Sequence, residues 1–269
     1  MRWLKLEFQG QEVYGVPDGD EIQVTDLTWP EVLAGQEPRP VARIPRQGAR
    51  LRNPVGRPAK IVAIGLNYRD HCQETGTPPP DHPVVFTKFP TSINDPYGEI
   101  VWSTELTQEV DFEAELAVVI GRRARNVPAS QALGYVAGYT GANDVSARDL
   151  QFADGQWVRG KSLDTFCPLG PAFVTADEIP DPQALAIRCL VNGQVMQDSH
   201  TSLMIFPVAE LIAFCSRAFT LEPGDVILTG TPHGVGFARE PQVFLQDGDT
   251  VAVEIERIGR LVNRCRTGA

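Results

Sequence analysis

The sequence predicts a mainly β fold of the α+β type, with a few short helices and a small β-rich N-terminal domain. Short apolar or alternating runs of strand length recur along the chain, and turn signals rich in Gly, Pro and Asp separate them. Sustained helical spacing occurs at residues 208–219. A group of prolines near residue 50 indicates a boundary between two parts of the chain.

Residues 1–55 are predicted to form the small N-terminal domain, and residues 56–269 a larger catalytic domain. In the first part, Leu4, Leu6 and Phe8 alternate with polar residues, which predicts a strand. Two more strands are expected at residues 12–16 and 21–24, and a short helix at 29–33. Four prolines then predict an extended linker: Pro38, Pro40, Pro45 and Pro54.

The larger part carries further strand signals. Strands are expected at residues 60–65, 112–120, 184–191 and 251–256, where apolar residues form short runs or alternate with polar ones. The helix at 208–219 completes a mainly β core with minor helices.

The net charge of −10 makes nucleic acid an unfavourable partner, because binding a polyanion needs a basic stripe. The five cysteines are widely spaced and odd in number, which favours reduced thiols in a cytoplasmic protein. The N-terminus lacks the apolar segment of a secretory signal. No apolar run reaches membrane-spanning length, so no membrane span is expected.

Carboxylates line one face of the strand predicted at residues 112–120. Asp111, Glu113 and Glu115 alternate with Phe112 and Ala114, so the acidic side chains project to one side. Two carboxylates spaced by two residues lie roughly 6.5–7 Å apart at Cα, close enough to share an ion. The strand alone leaves two interpretations open, a solvated acidic face and a metal site next to a buried apolar run.

A second polar segment follows the glycine at 141. Asp144 is a candidate third oxygen ligand, and Arg148 and Gln151 share its face if a helix begins there. A surface helix capped by Asn143 or Asp144 explains the segment equally well.

A third segment follows the strand predicted at residues 60–65. His71 and Glu74 are three residues apart, which places them on one face of a helical turn. A carboxylate beside an imidazole suits a general base, although a local pair on a surface helix fits the same spacing. Three prolines at residues 78–80 indicate a stiff loop that is a candidate lid.

Candidate substrate contacts come from two loops rich in small residues. Lys161 is either a solvated loop lysine or the fixed cation that an acidic protein needs for an anionic substrate. Lys88, at the start of another loop, is a weaker candidate of the same kind. Gly230 and Thr231 follow an apolar strand, in a loop that is either a plain tight turn or one whose backbone N–H groups approach a carboxylate.

Taken together and in this order, these segments resemble the fumarylacetoacetate hydrolase family. The matching motifs are Asn-Tyr-x-x-His-x-x-Glu from Asn67, the Glu-x-Glu strand, the segment from Asn143 to Gln151, Gly-Lys-Ser around Lys161, and Gly-Thr-Pro from Gly230. The resemblance covers residues 58–266, and residues 156–171 are most similar to the domain-containing protein 2 branch of the family.

The resemblance implies a mixed β-sandwich roll, a homodimer and a divalent ion. It implies Glu113, Glu115 and Asp144 as the ligands of Mg²⁺ or Mn²⁺, with Ca²⁺ as another occupant. It implies His71, Glu74 and Lys161 as catalytic residues. The implied substrate contacts are Arg148, Gln151, Gly230, Thr231 and, more weakly, Lys88.

The implied substrates are small 2-oxo carboxylic acids, processed through a metal-bound enolate. Such an enolate serves hydrolysis of a C–C bond in acylpyruvates or fumarylacetoacetate-type compounds, and also decarboxylation of oxaloacetate. Keto–enol tautomerisation of oxaloacetate and isomerisation of unsaturated 2-oxo diacids are the alternatives within the family. A non-catalytic protein that binds a metal or metabolite is the alternative from another class, and the presence of both His71 and Lys161 argues against it.

Overall fold

A computed structural model describes residues 1–268, and most of its regular structure is β-strand. The strands are β1 (Arg2–Phe8), β2 (Gln11–Asp18), β3 (Glu21–Thr25), β4 (Pro40–Pro45), β5 (Leu51–Arg52), β6 (Ile61–Gly65), β7 (Val84–Lys88), β8 (Ile93–Asn94), β9 (Glu99–Trp102), β10 (Val110–Asp111), β11 (Ala114–Ile120), β12 (Val136–Asn143), β13 (Ser146–Ala147), β14 (Cys167–Thr175), β15 (Ala186–Val191), β16 (Gln194–His200), β17 (Val226–Leu228), β18 (Thr250–Ile255) and β19 (Gly259–Thr267). The α-helices are α1 (Trp29–Leu33), α2 (Arg69–Glu74), α3 (Ala129–Ala132), α4 (Arg148–Ala153), α5 (Val158–Lys161) and α6 (Val208–Ala218).

The predicted mainly β fold is confirmed, and most predicted elements lie within about two residues of their expected bounds. The first three strands, the short helix α1 and the longer helix α6 all form where the hydrophobic spacing places them. The helix α6 buries Val208, Leu211, Ile212 and Cys215, the apolar face that predicted it.

The segment expected to be a linker contains strands, so that expectation is wrong. Strand β4 pairs antiparallel with β3, and β5 pairs with β1. Strand β4 lies at the end of the sheet, and Pro40 and Pro45 are its first and last residues. An edge strand tolerates proline because the missing N–H leaves no neighbour without a partner.

The larger sheet has twelve strands and contains strands from both of the predicted domains. Its main order is β4-β3-β2-β1-β14-β12-β11-β17-β6-β7, with β5 on β1 and β8 on β14. The pairing of β1 with β14 joins the N-terminal strands to the rest, with Trp3 opposite Phe173. The division of the chain at residue 55 stays a prediction.

A second sheet of five strands, in the order β16-β15-β18-β19-β9, packs against the larger one. Strand β11 illustrates that both faces of the large sheet are buried. Leu116 and Val118 belong to the core between the sheets, together with Ile187 of β15 and Ile255 of β18. Residues of the opposite parity, such as Ala117, belong to a second core on the other face.

The strand expected over residues 112–120 is interrupted at its beginning. Val110 and Asp111 form β10, which pairs with β13, and β11 begins only at Ala114. At this interruption a side chain takes the place of a strand partner. The Asn143 amide oxygen accepts a hydrogen bond from Glu113 N at 2.9 Å. Glu113 therefore lies in a bend between two strands.

All five cysteines are free thiols buried in the fold, in agreement with the expected reduced state. Burial raises the pKa of the Cys215 thiol to about 11, and burial raises that of Cys265 to about 12. Among residues 1–268, no helix is long and apolar enough to cross a membrane.

Trp3 provides a test of how firmly the N-terminal strands belong to the fold. Its side chain is only 1% exposed and packs in the second core beside Phe173. Trp3→Ala is expected to lower the free energy of unfolding by about 3–5 kcal/mol, because a large buried side chain is lost. Urea unfolding measures the change. Val41→Ala, at a residue 60% exposed on β4, is the control, and a loss of less than about 1 kcal/mol in Trp3→Ala would contradict the packing argument.

Candidate active site and metal centre

Three carboxylates converge where β11 begins and β12 ends. Because these strands are antiparallel with Ala114 opposite Asn143, Asp144 follows directly beside Glu113, and Asp144 N donates to Glu113 O at 2.9 Å. Glu115 shares the face of Glu113. Candidate ligand atoms of Glu113, Glu115 and Asp144 lie within 4.8 Å of one another, and all three residues are buried.

The loop after β17 runs along the same strand and closes one side of this group. Gly230 N donates to Glu115 Oε2 at 2.7 Å, and the Thr231 hydroxyl donates to Ala114 O at 3.0 Å. Gly230 has a φ of +95°, and a Cβ there would lie 2.8 Å from the Asn67 Cβ. Glycine is therefore required for this backbone to approach Glu115.

Two lysines hold the carboxylates from opposite sides. Lys161 Nζ lies 2.7 Å from Glu113 Oε2 and 2.8 Å from Asp144 Oδ2. Lys88 Nζ lies 2.6 Å from Asp144 Oδ1 and is fully buried. Lys161 ends the short helix α5 and is buried, so the alternative of a solvated loop lysine is wrong.

Arg148 is the third cation of the site, and its partners differ from those expected. It pairs with Asp111 Oδ2 at 2.8 Å and with Glu113 Oε1 at 2.6 Å, while its Nη1 donates to the Gln151 Oε1 at 3.0 Å. If Arg148 has a structural role, its neighbours in sequence predict Asp144 or Asp149 as its partner, but the structure places Asp111 and Glu113 there instead. The helix begins at Arg148 rather than at Asp144, so the two residues do not share a helical face.

The buried charges in this cluster do not balance. Its members are four carboxylates and three cations: Asp111, Glu113, Glu115 and Asp144, and Lys88, Arg148 and Lys161. Burial opposes ionisation of Glu113, but the charges of Lys161 and Arg148 outweigh it and lower the pKa to about 2. Burial, followed by the charges of Asp144 and Glu113, raises the pKa of Glu115 well above its usual range.

Within residues 1–268, Glu115 is the carboxylate of this cluster that forms no ion pair with a lysine or arginine. A metal ion bound beside it would supply the missing positive charge. The hydrogen-bond partner of Glu115 is the neutral Gly230 N–H. A divalent ion held by Glu113, Glu115 and Asp144 would more than offset the single excess negative charge and leave the cluster positive, which suits an anionic substrate. Three carboxylate ligands suit hard cations such as Mg²⁺, Mn²⁺ or Ca²⁺.

A histidine–glutamate pair stands beside the carboxylates on the short helix α2. His71 Nδ1 lies 3.2 Å from Glu74 Oε2, as the spacing of three predicts, and both are largely buried. Gly234 N donates to Glu74 Oε1 at 2.8 Å, which holds the carboxylate in place. This arrangement fixes the imidazole by Nδ1 and leaves Nε2 for another partner.

One cavity of about 310 Å³ collects most of the predicted residues. The predicted residues that line it are His71, Glu113, Glu115, Arg148, Gln151, Lys161 and Thr231. Glu74, Asp144 and Gly230 lie behind this lining and bond to residues that form it, and Lys88 bonds to Asp144. Lys88 is thus placed as a support for Asp144 rather than as a contact for substrate.

Several residues that shape the site were not predicted. Asp111 was noticed beside the other carboxylates, but its role in holding Arg148 depends on the bend after β10. Gln197 bridges Ala114 N and the Thr231 hydroxyl from β16. No pattern near Gln197 signals this, because the contact joins segments far apart in sequence. Aromatic residues of the cavity wall, Phe86 and Phe237 among them, also gave no signal.

A β-sandwich with a carboxylate cluster and a His–Glu pair in one cavity defines an enzyme class built for small acidic substrates. A family model described as the C-terminal region of fumarylacetoacetate hydrolase matches residues 60–266. The chain belongs to the fumarylacetoacetate hydrolase family, which confirms the resemblance in its motifs.

Named relatives narrow the comparison. The rat mitochondrial oxaloacetate tautomerase Fahd2a is 51% identical over 222 residues, which cover 82% of this chain and 71% of that protein. The human mitochondrial oxaloacetate tautomerase FAHD2B is 53% identical over 213 residues, covering 78% and 68%. These names carry a mitochondrial location, so the cytoplasmic expectation stays a prediction.

Solved structures of related proteins superpose on this fold over the whole chain. A fumarylacetoacetate hydrolase from Exiguobacterium antarcticum superposes with a TM-score of 0.90 at 40% identity, covering 100% of both chains. The 2-hydroxyhepta-2,4-diene-1,7-dioate isomerase from Mycobacterium marinum gives 0.85 at 37% identity, covering 100% of this chain and 99% of that one.

Glu115→Gln separates the charge of this residue from its hydrogen bond. The amide oxygen of the variant still accepts from Gly230 N, but the ionisable carboxylate, whose charge is unfavourable when buried, is removed. Because a raised carboxyl pKa makes the ionised form unfavourable in the fold, the metal-free variant should melt at or above the parent's temperature. Thermal melts in EDTA and in Mn²⁺ measure this, and Mn²⁺ should no longer stabilise the variant.

The control for that experiment is Glu105→Gln, at an exposed loop residue. It should melt like the parent in both solutions. A Glu115→Gln variant that Mn²⁺ stabilises as strongly as the parent would show that the ion binds elsewhere.

The raised pKa of Glu115 also predicts how metal affinity depends on pH. Below that pKa the ion must displace a proton, so affinity should rise about tenfold per pH unit and level off once Glu115 is ionised. Calorimetric titration with Mn²⁺ in two buffers of different ionisation enthalpy measures both the affinity and the protons released. An affinity that falls with rising pH, or proton uptake on binding, would rule out this assignment.

Proposed function

We propose that this chain is a divalent-metal-dependent enzyme that interconverts the keto and enol forms of small 2-oxo acids of the oxaloacetate type. The observation that carries the proposal is the common cavity shared by the acidic cluster and the His71–Glu74 pair. The names of the relatives support the choice among the reactions open to this family.

The metal site of the proposal is Glu113, Glu115 and Asp144, with Mg²⁺ or Mn²⁺ as the working ion and Ca²⁺ as another occupant. When bound, the ion supplies positive charge for the 2-oxo oxygen and the carboxylate of the substrate. The raised pKa of Glu115 supports this site, because a cation bound there would stabilise the ionised carboxylate.

Lys161 and Arg148 provide the positive charge that lies next to the carboxylates. Both line the cavity and both contact Glu113, so an acidic substrate bound there meets two fixed cations. Thr231 and Gln151 offer neutral hydrogen-bonding groups on the same lining. These four residues orient a 2-oxo carboxylate in a protein whose overall charge repels it.

His71 moves the proton in the proposed reaction. In the direction from keto to enol it accepts a proton from C3 through Nε2, the C3–H electron pair forms the C2–C3 double bond, the carbonyl electron pair moves to O2, and His71 returns the proton to O2. Glu74 holds Nδ1 and stabilises the imidazolium during the transfer. The reverse sequence ketonises the enol, and no co-reactant is consumed.

Hydrolysis of a C–C bond is the second candidate, with decarboxylation of oxaloacetate beside it. The His71–Glu74 pair favours hydrolysis, because a histidine oriented by a carboxylate also activates water. The similarity to a fumarylacetoacetate hydrolase from Exiguobacterium antarcticum supports it as well. Isomerisation of an unsaturated 2-oxo diacid, the activity for which the Mycobacterium marinum protein is named, needs only the same proton transfers.

A panel of substrates distinguishes these reactions. Enol oxaloacetate, oxaloacetate, acetylpyruvate and 2-hydroxyhepta-2,4-diene-1,7-dioate are offered with Mg²⁺ and with Mn²⁺. The proposal expects the fastest turnover in ketonisation of enol oxaloacetate, followed by ultraviolet absorbance. Faster cleavage of acetylpyruvate would replace tautomerisation by hydrolysis. Light scattering on the same sample tests the homodimer that we propose from family membership.

His71→Ala tests the base. We expect kcat for ketonisation to fall by about 10²–10⁴-fold while Mn²⁺ affinity is retained, because His71 is not a proposed ligand. His82→Ala, at an exposed histidine, is the control and should behave as the parent. Parent-like activity in His71→Ala would remove the base from the mechanism and favour decarboxylation driven by the ion alone.

A further inference from the structure

One wall of the cavity begins at Lys161 and continues outward as a pair of aromatic rings. Lys161 Nζ lies 5.3 Å from the centre of the Phe86 ring, and Phe86 packs edge-to-face on Trp157 with ring centres 5.3 Å apart. The Trp157 ring covers Gly65 so closely that a Cβ there would lie 2.3 Å from it. The absence of a side chain at Gly65 therefore sets the position of this wall.

A second aromatic wall of the cavity begins at Arg148 in the same way. The Arg148 guanidinium stacks 4.4 Å from the centre of the Phe237 ring, and Phe237 packs edge-to-face on Phe152 with centres 5.5 Å apart. Phe237 also packs against His71, so this wall passes beside the proposed base. Phe152 is 58% exposed, which places it towards the opening of the cavity.

The charges of the cavity are confined to its inner end. Apart from His71, the cationic residues among its lining are Arg148 and Lys161, and both are paired with Glu113. A second carboxylate carried far from the acidic cluster would meet aromatic rings and lose hydration without a partner. A neutral aromatic group would gain edge-to-face and stacking contacts at the same place.

The cavity is also larger than a four-carbon acid requires. Its volume of about 310 Å³ is at the lower end of the range that accommodates drug-sized ligands. We propose that the site also takes arylpyruvates, 2-oxo monocarboxylates with an aromatic group on C3, and interconverts their keto and enol forms. The aryl ring lies between the Phe86–Trp157 and Phe237–Phe152 pairs, and the 2-oxo acid lies at the inner end.

The inference rests on the proposed function, because it uses the same proton transfers. The C3–H bond breaks, its electron pair becomes the C2–C3 double bond, and the carbonyl electron pair moves to O2. His71 takes the proton from C3 and returns it to O2, so the overall reaction is balanced. The aromatic walls contribute binding alone, so their loss should raise KM and leave kcat nearly unchanged.

The experiment follows ketonisation of enol phenylpyruvate and of enol oxaloacetate by the same full-length protein with Mn²⁺. We expect turnover of both. Oxamate and N-phenyloxamate, planar monoanionic chelators without and with a phenyl group, are compared as inhibitors. N-phenyloxamate should bind at least about threefold more tightly, the gain expected from one aromatic contact.

Two variants test the aromatic walls directly. Phe152→Ala should raise KM for phenylpyruvate at least about threefold and more than it raises KM for oxaloacetate. Gly65→Ala displaces the Trp157 ring, and it should also raise KM for phenylpyruvate more than it raises KM for oxaloacetate. Phe89→Ala is the matched control, because Phe89 is 54% exposed and lies outside the cavity lining. It should leave both substrates as in the parent.

The two proposals fail in different ways. Normal turnover of oxaloacetate without turnover of phenylpyruvate, or equal KM changes for both substrates in Phe152→Ala, would overturn the inference alone. If the parent protein turned over neither substrate, both the proposed function and the inference would be overturned.

Discussion

Four buried carboxylates share a small volume with three buried cations, and the arrangement of the site depends on this imbalance. Lys88, Arg148 and Lys161 together contact Asp111, Glu113 and Asp144, while within residues 1–268 the hydrogen-bond partner of Glu115 is a backbone N–H. In a region of low dielectric such pairs interact strongly, and an unpaired charge is costly. The surroundings of Glu115 therefore favour a cation more than any other part of the cluster does.

The cluster also connects folding to function, because its members come from separate elements. Glu113 precedes β11, Asp144 follows β12, Lys88 ends β7 and Lys161 ends α5. Each charge is placed by strand pairing or by a short helix, and each ion pair of the cluster joins two different segments. The base is attached in the same way, since Glu74 of α2 accepts from Gly234 in the loop that also reaches Glu115. A fold without the large sheet would contain none of these contacts.

Sequence patterns predicted what depends on local periodicity and missed what depends on contacts between distant segments. Alternation placed Glu113 and Glu115 on one face, and a spacing of three placed His71 beside Glu74. The same rules extended one strand through the bend at Glu113 and treated a proline-rich edge strand as a linker, because pairing partners are not visible in a single segment. The same limit left Lys161 undecided between a solvated lysine and a fixed cation of the site, since its neighbours Phe86 and Asp144 come from distant segments of the chain.

The five buried thiols have a consequence for how motions of this protein can be observed. A thiolate is the reactive form of cysteine, and burial keeps these groups protonated and inaccessible in the closed structure. Alkylating reagents will therefore modify each thiol only when its surroundings open. Cys72 lies on α2 next to His71, whereas Cys189 lies in β15, an inner strand of the five-stranded sheet. Their separate labelling rates would measure two different motions, opening of the helix that carries the base and opening of the core.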